Sequence, residues 1–472
     1  MKTTMILKTY PALPERTKKQ YTRIAFDTSR DHTLCECSGA ETTLSVGVKR
    51  LVPLDRRRVI TLFRTIVREA KRVQCTHIAI HMADLESILG LGTDTDDLYR
   101  LMAENVHMAA YEFTALKTRD TSAYAGIEEV AFVGTLTAEQ HKDITTGEMV
   151  AREVNACRDL ANTPGGDMTP TLLANEVRKR CKGTGIAVRV LDTKAMEKLK
   201  MGAVLGVAKG AKEAPKFIIA EYWGTSKKTA PIVLVGKGVT FDTGGLSLKP
   251  ADYMLDMHLD MSGGSAVIHA LIAAARLDLK VNAVVLIPAV ENSISGESYR
   301  PGDVLRSMSG KTIDILNTDA EGRVIMADAL TYARRYKPAL TIDVATLTGA
   351  SLVALGTKAS AVLSTDNELA QRLVRLGEVS GDHCWQLPLW EEYKEMIKGR
   401  FGDIANIPVK NARYGGVIAG GMFLAEFADG LAWAHIDIAP RMVSDDSDLL
   451  SQGAAGAPVR LLLRLFEEYA RS

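Results

Sequence analysis

Two short stretches of the sequence crowd together side chains that can do chemistry. One is GKGVTFDTGGLSLK (236–249), continuing to Asp260; the other is NTDAEGR (317–323). Between them they supply the carboxylates Asp242, Asp260, Asp319 and Glu321 and the cations Lys237, Lys249 and Arg323. Four carboxylates brought close together repel one another unless cations sit between them. Two divalent ions would balance them; oxygen-rich ligation suits magnesium, manganese or zinc, and a shared carboxylate can bridge a metal pair. The glycines at 236, 238, 244 and 245 invite a phosphate-loop reading, but the pattern fails it. There is no G-x-x-x-x-G-K-[ST], and Phe241 stands where the third glycine of G-x-G-x-x-G would be. Those glycines more simply let the backbone turn tightly around ions. Neither G-x-S-x-G nor H-E-x-x-H is present, which argues against a serine hydrolase and a mononuclear zinc peptidase. Taken singly, each stretch also fits a solvated Asp-x-Glu loop or a plain Gly-Gly turn. Residue types alone leave both readings open.

The elements that must position these groups follow from periodicity. From Thr169 onward short apolar runs alternate with helical patterns: strands at 231–235, 282–287 and 340–344, helices at 264–276 and 327–336. Such alternation predicts a mainly parallel sheet with helices on both faces, and in such sheets functional groups gather at the carboxyl ends of the strands. The loops after Val235 and Val344 fall there. The first 145 residues also alternate, with Val59, Leu62, Phe63, Ile66 and Ala70 at helical spacing and strands near 76–82 and 131–133. His77 and His81 lie four apart, but in a strand-like run (HIAIH), with no cysteine or carboxylate partner nearby; a structural role is expected. A helix is expected at 147–161, opened by a capping box of Thr145 and Glu148, striped by Val150, Val154, Cys157 and Ala161, and stopped by NTPGG (162–166). The expectation is therefore α/β throughout: an N-terminal α/β domain at 1–145, a linker helix at 146–165 and a larger C-terminal catalytic domain at 166–472.

Bulk properties narrow the partners. Of 472 residues, 46% are hydrophobic and 24% charged, as in ordinary globular proteins, and the formal charge is +1. That balance argues against nucleic acid as the main partner and against an anionic membrane. The run Arg56-Arg57-Arg58 reads as the solvated start of a helix. Six scattered cysteines do not make a disulfide framework, and no apolar run resembles a signal peptide or a membrane span. A cytoplasmic place is expected.

NTDAEGR resembles the signature of the leucine aminopeptidase (cytosol aminopeptidase) family, and VGKGVTFDTGGLSLKP followed by LDMSGG is similar to that family's first metal-binding stretch. Further matches are NTPGGDMTP (162–170), SGESYRPGDV (295–304), DVATLTGA (343–350), WQLPLW (385–390) and WAHIDIA (433–439), so the resemblance spans roughly 150–470. It implies that Asp242, Asp319 and Glu321 hold one metal ion, with the Asp319 carbonyl assisting. Lys237, Asp242, Asp260 and Glu321 hold the other, so Asp242 and Glu321 bridge. It implies manganese or zinc as the ions, a neutral Lys237 amine, and Lys249 stabilising a tetrahedral intermediate. Arg323 would hold a bicarbonate ion that relays a proton. Thr346, Leu347 and Gly349 would line the pocket for the first side chain, with the Leu347 carbonyl accepting a substrate N–H and Met257 at the border. The expected activity is removal of N-terminal amino acids, leucine and other apolar residues preferred, by a homohexamer with its sites facing an inner cavity. Turnover of dipeptides such as cysteinylglycine is an alternative role, and DNA binding a secondary one.

Three places depart from the family pattern: His258 stands where a basic residue is usual, MSGGSA (261–266) where Gly-Ala-Ala is frequent, and Gly420-Gly421 where two alanines are. His258, His269 and His435 are expected to be peripheral, packed and structural, respectively.

Overall fold

The computed structural model describes residues 5–15, 18–38, 41–52, 54–89, 97–118, 124, 126–410 and 414–471. Two compact units emerge: Met1–Asn155 with Ser444–Gln452, and Ala156–Val443 with Gly453–Ser472. The boundary falls inside one long helix, Ala138–Asn162.

The first unit carries, among its described residues, a six-stranded sheet of β1 (Ile6–Tyr10), β2 (Thr22–Asp27), β3 (Leu34–Ser38), β4 (Glu41–Gly47), β5 (His77–His81) and β6 (Glu129–Val133) in the order β1-β6-β5-β2-β4-β3. Its pairs are parallel except β3 with β4. The helix Arg56–Arg72 starts at Asp55, whose carboxylate accepts from Arg58 N at 2.8 Å. Val59, Leu62, Phe63, Ile66 and Ala70 are all buried, as their spacing predicts. Arg56 forks onto Asp97 with two bonds of 2.7 Å, so the basic run is only partly solvated. The segment Ser444–Gln452 belongs to this unit because Arg64 donates to the Asp448 carbonyl at 2.9 Å. His77 is half-buried, edge-on to Tyr21 and beside the Thr76 hydroxyl.

The long helix begins nine residues before the expected position. Its cap is Thr137 with Gln140: Thr137 N donates to Gln140 Oε1 at 2.8 Å and Gln140 N to Thr137 Oγ1 at 3.2 Å. Thr145 caps nothing; its hydroxyl donates back to the His141 carbonyl at 2.9 Å. Gly147 marks a close approach rather than a start, since a Cβ there would lie 2.4 Å from the Arg100 carbonyl oxygen.

The second unit is built on a nine-stranded sheet, with a three-stranded sheet beside it. In chain order the strands are β7 (Ala187–Leu191), β8 (Lys216–Trp223), β9 (Ile232–Gly236), β10 (Gly238–Asp242), β11 (Asn282–Asn292), β12 (Val304–Arg306), β13 (Thr312–Asp314), β14 (Leu340–Ala345), β15 (Ser360–Ser364), β16 (Cys384–Gln386), β17 (Ile404–Ala405) and β18 (Trp433–Asp437). The large sheet runs β16-β15-β18-β14-β9-β11-β8-β7, with β10 also on β11 and β12-β13-β17 forming the small sheet. Its centre, β18-β14-β9-β11-β10, is parallel throughout, and only the flanks reverse. Val233 and Val235 of β9 and Val284 and Leu286 of β11 pack into one core with Val324, Ala327 and Phe423. Near-continuous apolar strands such as IVLVG are the mark of a parallel sheet covered on both faces. Helix Ser262–Arg276 supplies another layer; at Gly236 it comes so close that a Cβ would meet Val267 Cγ2 at 2.5 Å.

Candidate metal centre

The predicted groups meet at the carboxyl ends of the parallel strands. Lys237 follows β9, Asp242 ends β10 and Thr346 follows β14; Asn292, which ends β11, and Asp437, which ends β18, join them there although the sequence did not single them out. Asp260 comes from the 3-10 turn Met257–Met261, and Glu321 opens the helix Glu321–Ala333, where the positive end of the helix dipole favours a carboxylate. The Lys237 backbone is clamped on both sides: its N–H donates to the Val344 carbonyl at 3.0 Å, and its carbonyl accepts from Gly264 N at 2.7 Å. Gly263 is required at this crowded point, because a Cβ would lie 2.2 Å from the Val344 carbonyl oxygen.

Asp242, Asp319 and Glu321 each offer an oxygen, and these atoms lie within 4.8 Å of one another. Lys237 Nζ stands between Asp260 at 2.7 Å and Glu321 at 2.8 Å and donates to the Thr346 carbonyl at 3.0 Å. Lys249 Nζ pairs with Asp242 at 2.9 Å and with Asp319. Asp242, Asp260, Glu321 and Lys237 are buried and Asp319 half-buried. Burial and the neighbouring carboxylates push the Asp319 carboxyl up to about 7, against the pull of Lys249. Asp260 is driven well above its ordinary range by burial, with Lys237 opposing. Burial alone would lower both lysines, but the carboxylates outweigh it and hold each ammonium above its ordinary value.

This donor set fits divalent cations. Asp260 Oδ2, Asp319 Oδ1 and Glu321 Oε1 are buried and meet no donor other than the two lysine ammonium groups. Hard oxygens in a crowded anionic pocket are what manganese, magnesium or zinc prefer. Histidine is absent from the cluster. His258 is half-buried, His269 is buried in its helix, and buried His435 binds Asp343 through Nδ1 at 2.5 Å.

Arg323 lies two residues beyond Glu321 on the same helix, buried, with Nη1 donating to the Asn406 carbonyl at 2.8 Å and Nε without a hydrogen bond. Burial lowers its guanidinium to about 10, while Glu321 and Asp437 pull the other way. A buried guanidinium with a free donor suits a small anion. Thr346 is joined to the centre by its hydroxyl, which donates to Asp260 Oδ1 at 2.6 Å. Leu347 is half-buried beside it, Gly349 is exposed at the start of the helix Gly349–Leu355, and Met257 is half-buried in the turn that carries Asp260.

Two supports escaped the sequence reading. Asn292 donates to Asp242 Oδ1 at 2.7 Å and to the Thr318 carbonyl at 3.0 Å, so it sets the carboxylate against the 317–323 loop. Asn406 accepts from Leu316 N at 2.9 Å and donates to the Asn317 carbonyl at 2.6 Å, holding the loop from its other side. A family model described as the cytosol aminopeptidase family, catalytic domain, matches residues 155–463, the stretch that contains every group named above. The chain belongs to that family. It is accordingly an enzyme, a metallo-exopeptidase of the hydrolase class. Probable cytosol aminopeptidases of Aromatoleum aromaticum and of an Azoarcus species are similar at 45% and 47% identity. The first alignment covers 79% of this chain and 74% of the relative, the second 75% and 70%. Among solved structures, the bottromycin maturation enzyme BotP is similar over 100% of both chains at 28% identity, with a TM-score of 0.84. Its complex with Mn gives 0.83 at 29% identity, covering 98% of each chain. Among the described residues no helix is long and apolar enough to cross a membrane.

Proposed function

We propose that this enzyme removes single N-terminal residues from peptides, leucine and other apolar residues first, using two divalent ions. The observation that carries the reading is the set of carboxylates Asp242, Asp319 and Glu321 within 4.8 Å, joined to Asp260 through Lys237. Asp242, Asp319 and Glu321, with the Asp319 carbonyl, would hold one ion; Asp242, Asp260, Glu321 and Lys237, its amine made neutral by the ion, would hold the other. When bound, such ions polarise the scissile carbonyl, anchor the free α-amine and make water acidic enough to attack at neutral pH. The BotP complex with Mn supports manganese as an ion this fold accommodates, and zinc has the same claim on the donor set.

The chain's own residues do the rest. Lys249, kept as an ammonium by Asp242 and Asp319, supplies positive charge to the carbonyl oxygen as negative charge builds on it. Arg323, buried with Nε without a hydrogen bond, would hold a bicarbonate ion, which would supply a proton acceptor beside the cluster. Thr346, Leu347, Gly349 and Met257 receive the first side chain, and the Leu347 carbonyl accepts a substrate N–H. Anchoring of the free amine is what restricts cleavage to the amino end. A cytoplasmic homohexamer belongs to the same proposal, with 1–145 as a separate N-terminal domain, 146–165 as a linker lying in and just beyond the helix Ala138–Asn162, and 166–472 as the catalytic part.

Hydrolysis of leucine p-nitroanilide, with Mn or Zn added to chelator-treated protein, tests this directly. Wild type is expected to be active only with metal, and Glu321→Ala to lose at least about 100-fold in kcat/KM, since it deletes a shared ligand. Full activity in the variant would sink the mechanism.

A further inference from the structure

We propose that Asp437 is a positioning residue that fixes the turn 346–349 and thereby sets how sharply the enzyme distinguishes first side chains. The proposal rests on the aminopeptidase reading of the site. Asp437 is fully buried at the carboxyl end of β18, in register with Ala345 at the end of β14. One carboxylate oxygen accepts from Leu347 N at 3.0 Å and from Ala439 N at 3.1 Å. The other accepts from Thr348 Oγ1 at 2.7 Å. That hydroxyl also accepts from Ser351 N at 3.2 Å, so the same carboxylate steadies the cap of the helix Gly349–Leu355.

The turn is held from two further directions. The preceding residue, Thr346, is tied to Asp260 through its hydroxyl at 2.6 Å and to Lys237 through its carbonyl at 3.0 Å. From the helix Gly416–Ala428, a Cβ at Gly420 would stand 3.1 Å from Leu347 Cδ2 and 3.2 Å from Thr348 Cγ2. Asp437 is therefore the piece that stops the Leu347 peptide rotating between a fixed metal-side anchor and a close-packed helix. Its release would leave the metal ligands in place while the pocket wall and the Leu347 carbonyl lose their orientation.

Asp437→Ala, Asp437→Asn and Thr348→Val, assayed on leucine and alanine p-nitroanilides with Mn, test this. Asn keeps an oxygen for Leu347 N, and Thr348 can turn its hydroxyl to accept, so Asp437→Asn is expected to retain most of the leucine-to-alanine ratio in kcat/KM. Asp437→Ala is expected to compress that ratio roughly tenfold, chiefly through a raised KM for leucine, with Mn binding by calorimetry unchanged. Thr348→Val, which loses both bonds of its hydroxyl but keeps those from Leu347 N and Ala439 N to Asp437, falls between and decides the matter if Asp437→Ala does not fold. Equal losses on both substrates, or a wild-type ratio in folded Asp437→Ala or Thr348→Val, would overturn the proposal. Wild type inactive on both anilides would instead overturn the aminopeptidase reading on which it stands.

Discussion

Gly322, between Glu321 and Arg323, illustrates how a residue without chemistry can be fixed by chemistry. A Cβ at that position would lie 2.5 Å from Lys237 Cε and 2.8 Å from Lys237 Nζ. The end of a free lysine would simply move aside, but this one is buried and pinned by Asp260, Glu321 and the Thr346 carbonyl. Gly322→Ala should therefore displace Lys237 Nζ from its place among Asp260, Glu321 and the Thr346 carbonyl rather than unfold the chain. Displacements of about 1 Å at such centres cost on the order of 100-fold in rate. The expected result is that loss in kcat/KM on leucine p-nitroanilide, with a urea midpoint close to wild type; an alanine variant of undiminished activity would show that Lys237 is not needed where it sits. The charged members of NTDAEGR announce themselves in the sequence, because clustered carboxylates demand an explanation. Asn292, Asn406 and Asp437 do not, since each is a single polar residue whose partner lies far along the chain.

Elements were legible where their signals were local. The strand 231–235, the helix stripe on Val59 to Ala70 and the placing of reactive groups beyond strand ends all follow from periodicity and parallel topology. The start of the helix Ala138–Asn162 was misread because two Thr-x-x-Glu/Gln runs compete, and a glycine inside a helix looks like an end. Only the Arg100 backbone packed on Gly147 tells the two apart, and that contact is not local. Asp328 shows the same limit within the helix Glu321–Ala333. It is fully buried and accepts from Ala203 N and Val204 N at 3.0 Å and Met308 N at 2.7 Å, pinning two distant segments to the helix that presents Glu321. Burial pushes its carboxyl up to about 7, with those N–H groups opposing. Because the folded value is raised, the native state binds the extra proton between the ordinary carboxylate range and about 7. The cost of burying the charge is absent below that window and complete above it. Asp328→Asn keeps an acceptor but no charge, so its stability relative to wild type should rise from pH 4 to about 7 and then level off, read from urea midpoints. Asp328→Ala leaves the N–H groups bare, at about 1–3 kcal/mol each, and should be destabilised at every pH. A flat difference for the Asn variant would exclude titration of Asp328 in this range.

At the scale of the whole molecule, the candidate metal centre would couple ion binding to folding. Lys237 and Lys249 offset only part of the charge of Asp242, Asp260, Asp319 and Glu321, and three of the buried oxygens meet no donor but those two ammonium groups. Those carboxylates come from strand ends, a 3-10 turn and a helix start, so they converge only in the folded chain. Ions that bind the native state and ignore the unfolded one stabilise it by RT ln(1 + [L]/Kd), about 2.7 kcal/mol at a hundredfold excess over Kd for a single site. For a unit of this size that corresponds to a rise in melting temperature on the order of 5 °C. Chelator-treated protein should therefore melt lower, and added Mn or Zn should raise the midpoint in a concentration-dependent, saturable way. Magnesium, which dehydrates reluctantly and prefers an octahedral shell of oxygens, should do less where an amine is among the ligands. Glu321→Ala removes a carboxylate that both ions would share, so the same titration should move its midpoint little. An equal rise in that variant would place the ions outside this cluster, whatever the activity of the loaded enzyme.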